Sequence, residues 1–151
     1  MDTNIVTVEA KIALIRKQAC FRLLNDQEVM MLADLFTVKT YPAGKVIVTQ
    51  GDHVDSVFLI VSGDADVVVT ELVDGQRREK NVATLHPNQA IGLSETGFYS
   101  LSGVRTATVI AKNDMVLLHL RVAVFHGFAL AHAHVAEVMR EFSGSRMQAT
   151  S

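Results

Sequence analysis

Between residues 44 and 120 the chain never runs more than about ten residues without a turn signal, and the runs between those signals are short and β-branched. Val46–Val48 precedes Gly51-Asp52, Val57–Val61 precedes Ser62-Gly63-Asp64, and Val67–Val73 precedes Asp74-Gly75 and Arg77–Leu85. Asp-Gly between two strand-like runs is among the strongest short hairpin signals, because both residues tolerate positive φ. His86-Pro87-Asn88 and Lys112-Asn113-Asp114 mark further turns, the second between Thr106–Ala111 and Met115–Leu120. Regularly spaced short strands of this kind close into a sandwich or barrel.

Both flanks carry a different period. Ile5, Val8, Ile12 and Ile15 fall on one helix face, and Val29, Leu32, Ala33 and Phe36 form a second apolar stripe. Asn25-Asp26-Gln27-Glu28 has the form of a capping box that opens this second stripe. After Leu120, Val122, Phe125 and Ala129, then Val135, Val138, Met139 and Phe142, repeat at helical spacing. The expected architecture is a single α+β, mainly β domain over 1–151. Helices over 4–36 and 121–142 pack on an antiparallel jelly-roll-like β-roll over 37–120.

Composition narrows the function classes. Apolar residues make up 49% and charged residues 20%, which excludes a disordered chain. The 14 basic and 16 acidic residues leave no surplus of positive charge for general nucleic-acid binding. The single cysteine, Cys20, makes no internal disulfide and points to a reducing compartment. The first ten residues lack the basic-then-apolar order of a signal peptide, and no apolar run reaches the roughly 20 residues of a membrane span. The expectation is a cytoplasmic protein with no membrane contact.

The stretch with chemistry in it is Ala90–Val109. Gly92, Gly97 and Gly103 allow backbone N–H groups to approach a ligand and form an anion-binding concavity. Ser94-Glu95-Thr96 can open a short helix whose N-terminus favours an anion. Arg105 can fork onto two phosphate oxygens, and Glu95 can accept from a ribose hydroxyl. On these residues alone a second reading stands beside the first: Arg105 and Glu95 pair with each other, and the glycines serve turns.

The motifs resemble those of the cyclic nucleotide-binding domain family, the β-roll module of catabolite activator protein, protein kinase A regulatory subunits and cyclic-nucleotide-gated channels. Tyr41-Pro42-Ala43-Gly44-Lys45-Val46-Ile47 is similar to the family's first strand. Gln50-Gly51-Asp52 with Val57-Phe58-Leu59-Ile60-Val61-Ser62-Gly63 resembles its structural glycine pattern. Arg105-Thr106-Ala107-Thr108-Val109 resembles the end of its phosphate-binding cassette. The resemblance implies Arg105 as phosphate ligand, Thr106 beside it on the phosphate edge or the base, and Ala107 as a small residue close to the cassette. The backbone of Gly92, Ser94 and Thr96 completes the phosphate loop, and Glu95 is the ribose ligand. In the family the glutamate follows a glycine directly; here Leu93 follows Gly92, and Glu95 is aligned by its ten-residue distance from Arg105. The resemblance also implies a short cassette helix, against which Phe98 and Tyr99 pack, and a C-terminal lid, here Ala131–Phe142.

The function expected from it is a stand-alone cyclic nucleotide sensor, cyclic AMP before cyclic GMP. It acts by a ligand-dependent shift of conformation and signals through an unknown protein partner or self-association. The other reading is a β-roll interaction module that no longer binds nucleotide. About 26 residues follow Phe125, too few for the helices of a DNA reader, so no DNA-binding domain is expected. No catalytic residue is expected: no Ser/His/Asp or Cys/His signature occurs. No metal or cofactor is expected either. His53, His86, His119 and His126 are scattered, and His132 and His134, two apart, diverge on a helix. Cys20 reads as a buried apolar residue, Met30-Met31 as a core stripe and Arg77-Arg78 as a solvated hairpin end.

Overall fold

The Asn25 capping box is present in full: Asn25 accepts from the Glu28 N–H at 2.9 Å, and the Glu28 carboxylate accepts from the Asn25 N–H at 2.8 Å. It starts helix α2 (Asp26–Leu35), which follows α1 (Val8–Arg16) and a 3₁₀ turn over Ala19–Phe21. The computed structural model describes residues 6–94, 97–98 and 103–140. The expected helical segment 4–36 is therefore broken at 17–25. Cys20 and Phe21 are fully buried there, and their burial turns the chain although no Gly or Pro marks the place.

Among the described residues ten strands follow: β1 (Thr37–Tyr41), β2 (Val46–Val48), β3 (Ser56–Ser62), β4 (Ala65–Val73), β5 (Gln76–Leu85), β6 (Ala90–Ile91), β7 (Leu93–Ser94), β8 (Gly97–Phe98), β9 (Thr108–Ala111) and β10 (Met115–Arg121). Eight of them form two antiparallel four-stranded sheets, in the orders β1-β10-β3-β6 and β2-β9-β4-β5. The β4–β5 hairpin turns at Asp74 (φ 53°) and Gly75 (φ 78°), the positive pair expected from Asp-Gly. Helix α3 (Val122–Ala131) and helix α4 (Ala133–Arg140) complete the described chain.

Strand β3 shows how two cores arise from one pleat. Val57 and Leu59 point into a helical core with Phe21, Leu32, Phe36, Phe125 and Val135. Phe58 and Ile60 point the other way, between the sheets, with Val48, Val109, Met115 and Leu117. A strand covered on both faces is a continuous apolar run, as Val57–Val61 is. The architecture is the expected α+β, mainly β roll with helices at both ends.

One local expectation fails. Leu93–Ser94 pairs antiparallel with Gly97–Phe98 as a two-stranded ribbon, with Ser94 opposite Gly97, so Ser94 is in a strand and not at a helix start; Glu95 and Thr96 lie outside the described residues. Leu93 is buried in the helical core, and that burial draws the segment into an extended form.

Candidate functional site

A cavity of about 270 Å³ borders the inter-sheet core. This lies near the lower end of the roughly 300–1,000 Å³ usual for small-molecule sites. Val48, Val67, Ala83, Leu85, Ile91 and Val109 supply apolar walls, and Gly92, Arg105, Thr106 and Ala107 line one end. Arg105 is the charged residue among those that line it.

The main chain fixes Arg105 at both of its polar groups. Its N–H donates to the Asp52 carbonyl at 2.8 Å, and its carbonyl accepts from the Gly51 N–H at 2.9 Å. One step away, His53 bridges Val104, and the Val54 N–H donates to the Gly103 carbonyl at 2.7 Å. The side chain is only 7% exposed. Its Nη2 donates to the Ser56 carbonyl at 2.7 Å, with the Ser56 hydroxyl at 3.5 Å and the Asp55 carboxylate at 4.0 Å. Burial lowers the guanidinium's pKa, opposed by the charges of Asp55 and Asp52. A guanidinium stays protonated regardless, so the cavity holds a fixed positive charge at its polar end.

Gly92 makes room for that charge. It has φ 82°, which disfavours a side chain, and a Cβ there would stand 2.8 Å from Arg105 Nη1 and 3.2 Å from the Ser56 carbonyl oxygen. A partly desolvated cation at the end of an apolar hollow suits an anion with an apolar or aromatic body.

Of the expected site residues, the structure thus brings Gly92, Arg105, Thr106 and Ala107 to one cavity. Ser94 lies in β7, while Glu95 and Thr96 are outside the described residues, as is Tyr99. Phe98 falls in β8. Sequence reasoning missed Asp52, Asp55 and Ser56. Ser56 acts through its backbone oxygen, which no residue type announces; Gly51-Asp52 carried a turn signal, but nothing tied it to Arg105. It also missed the walls from β4 and β5, whose valine, alanine and leucine read only as parts of strand-like runs.

Among the described residues no group of three or more His, Cys, Asp or Glu side chains is placed to hold a metal ion. Cys20 is buried, and desolvation pushes its thiol up to about 12 against a smaller opposing backbone hydrogen bond. Among the described residues no single helix is long and apolar enough to cross a membrane.

Antiparallel roll, helical flanks and a cavity with a buried arginine define a β-roll with a pocket near small-molecule size. Residues 38–132 match the profile of the cyclic nucleotide-binding domain, and the chain belongs to that family. It is 30% identical over 96 residues to the cGMP-dependent protein kinase egl-4 of Caenorhabditis elegans; the match covers 64% of this chain and spans 12% of the kinase. It resembles the N-terminal domain of a transcriptional regulator from Streptomyces coelicolor A3(2), with TM-score 0.76 and 23% identity over 91% of this chain and 94% of that one. It also resembles the regulatory domain of Toxoplasma gondii protein kinase A solved with cAMP, with TM-score 0.71 and 16% identity over 93% of this chain and 50% of that one.

Proposed function

We propose that this chain is a cyclic nucleotide sensor, cyclic AMP before cyclic GMP, that regulates by binding and not by turnover. The observation that carries this reading is Arg105: its main chain is clamped by the Gly51–Asp52 turn, and its buried guanidinium, bonded to the Ser56 carbonyl, lies at the polar end of an apolar cavity. The cyclic phosphate sits against Arg105 and the Gly92 backbone, with Thr106 and Ala107 beside it. Glu95 takes the ribose hydroxyl, and Ser94 and Thr96 belong to the same loop. The purine lies along Val67, Ala83 and Leu85. Those apolar walls provide no partner for the extra amino group of guanine, which supports adenine first; the likeness to a cGMP-dependent kinase weighs the other way. Signalling in this reading runs in the cytoplasm, as one domain, through a protein partner or a second copy.

A thermal melt with cyclic AMP, cyclic GMP and 5′-AMP tests it. Ligand at 100 times its Kd stabilises the fold by about 2.7 kcal/mol. For a domain of this size that raises Tm by about 5–11 °C. A rise with a cyclic nucleotide and none with 5′-AMP supports the sensor. No rise with either cyclic nucleotide at millimolar concentration favours the second reading, a β-roll interaction module without a ligand. The observation behind that second reading is Leu93, buried in the helical core where the family places its glutamate.

A further inference from the structure

Strand β5 (Gln76–Leu85) ends its sheet: it pairs with β4 on one side and, among the described residues, with no strand on the other. At ten residues it is long for a strand, where about 5–6 is usual, and residues 76–83 are all exposed. The hairpin decides which backbone groups face outward. Val73 pairs with Gln76 across the two-residue turn Asp74-Gly75, so these two residues exchange both backbone hydrogen bonds and the pattern alternates from there. By that alternation Arg78 and Lys80, opposite Glu71 and Val69, spend their backbone groups on β4. The N–H and C=O groups of Arg77, Glu79 and Asn81 point away from the sheet, a row of donors and acceptors for one more strand.

Charge selects that strand. Residues 76–81 carry Arg77, Arg78 and Lys80 against a single acid, Glu79. Among the described residues none of these three cations makes a salt bridge. A second copy of the chain suits this edge badly. Antiparallel pairing that keeps the outward groups of both copies in step sets one residue on the two-fold axis, opposite itself. Wherever that axis falls within 77–80 the residue is charged, and like charges directly opposite are destabilising. On an added antiparallel strand the positions opposite Arg78 and Lys80 are the non-hydrogen-bonded ones, where side chains stand closest. Arg78 and Lys80 share one face, and Glu79 between them projects from the other. We propose that β5 is a docking edge for an extended acidic segment of a partner protein. That segment adds as a fifth strand, with carboxylates at every second position against Arg78 and Lys80. The surface does not rest on the sensor reading above, since a chain that binds no nucleotide keeps the same edge.

Fluorescence anisotropy with the full chain and three labelled octapeptides tests this. The first alternates glutamate and valine, the second alternates lysine and valine, and the third repeats the first with N-methylated valines. The valines fall opposite the outward groups of Arg77, Glu79 and Asn81, so their methylation removes the backbone bonds to β5 and leaves every charge in place. The acidic peptide is expected to bind saturably and the other two are not. Arg78→Glu together with Lys80→Glu turns two cross-strand attractions into two repulsions. This double variant is expected to bind the acidic peptide at least about fourfold more weakly and to admit the basic one. Both positions are exposed, so the melting temperature should stay at the wild-type value. No saturable binding of the acidic peptide to wild type overturns the proposal, and the charges of β5 then only keep the edge unpaired. Equal binding of the methylated peptide, or an unchanged affinity in the double variant, overturns it as well. A dimer of the peptide-free chain in sedimentation that Glu79→Pro dissolves, by removing an outward N–H, makes the occupant a second copy and overturns it too.

Discussion

Alanine at position 92 adds one methyl group at the point where the backbone, the guanidinium and β3 meet. The left-handed backbone there (φ 82°) strains any residue with a Cβ by about 1–2 kcal/mol. Part of that is offset, by about 0.4–1 kcal/mol, because alanine restricts the unfolded chain. The new Cβ would meet the Ser56 carbonyl oxygen at 3.2 Å and Val57 Cγ1 at 3.4 Å, contacts a small shift relieves. It would meet Arg105 Nη1 at 2.8 Å, which requires the guanidinium to move. The net stability cost is therefore about 1 kcal/mol, or about 2–4 °C in Tm. The functional cost is larger, because the displaced group is the one that faces the phosphate in the proposed site. Gly75→Ala is the control: it carries a similar φ, 78°, and a Cβ there has nothing within 4 Å. Calorimetric melting and equilibrium dialysis with cyclic nucleotide separate the two effects. Both variants should melt a few degrees low, and Gly92→Ala alone should lose at least about tenfold in affinity. Wild-type affinity in Gly92→Ala would refute the placement of the phosphate at Arg105.

Gly63→Ala should be far more damaging than Gly92→Ala, since its Cβ would lie 2.5 Å from the Asp114 carbonyl oxygen and 2.9 Å from Met115 Cα, backbone that cannot yield. A melt should show a loss of about 2–4 kcal/mol from strain and overpacking together. Phe125→Ala removes a fully buried ring 6.0 Å from that of Phe21 and 6.3 Å from that of Phe128. It should cost about 3–5 kcal/mol by urea titration. Glu28 sets an acid-side dependence: burial pushes its carboxyl up, but the Asn25 N–H, the bond from His134 and the charges of His134 and His132 together hold it below the ordinary value. Its contribution is thus present above the unfolded carboxylate value near 4.5 and fades as pH falls through the lower folded one. Urea midpoints between pH 6 and 3 should therefore fall more steeply in wild type than in Glu28→Gln; parallel curves would remove Glu28 from this role.

Features that depend on neighbours in sequence were legible before the structure. Asp74-Gly75 needs only its own two φ angles, and the Asn25 box closes over three residues. The two-faced burial of Val57–Val61 was written in its unbroken apolar run, and Arg105-Thr106-Ala107 marked one end of the cavity by motif. Features set by distant contacts were not legible. The break near Cys20 follows from burial of Cys20 and Phe21 against elements far along the chain. Ser94 is in a strand and not at the expected helix start because Leu93 beside it is drawn into the helical core. Ser56, 49 residues from Arg105, acts through a carbonyl that every residue has. Glu28 was visible as a capping residue, but its bond to His134 spans 106 residues and leaves no local pattern.

Isothermal titration of cyclic AMP into the wild-type chain and Arg105→Lys, side by side, tests the phosphate contact most directly. The lysine keeps a positive charge but cannot donate to the Ser56 carbonyl and face two phosphate oxygens at once. Saturable one-to-one binding in wild type, weakened at least about tenfold by the lysine, is the predicted result. Equal affinities, or no binding heat in wild type, would contradict it.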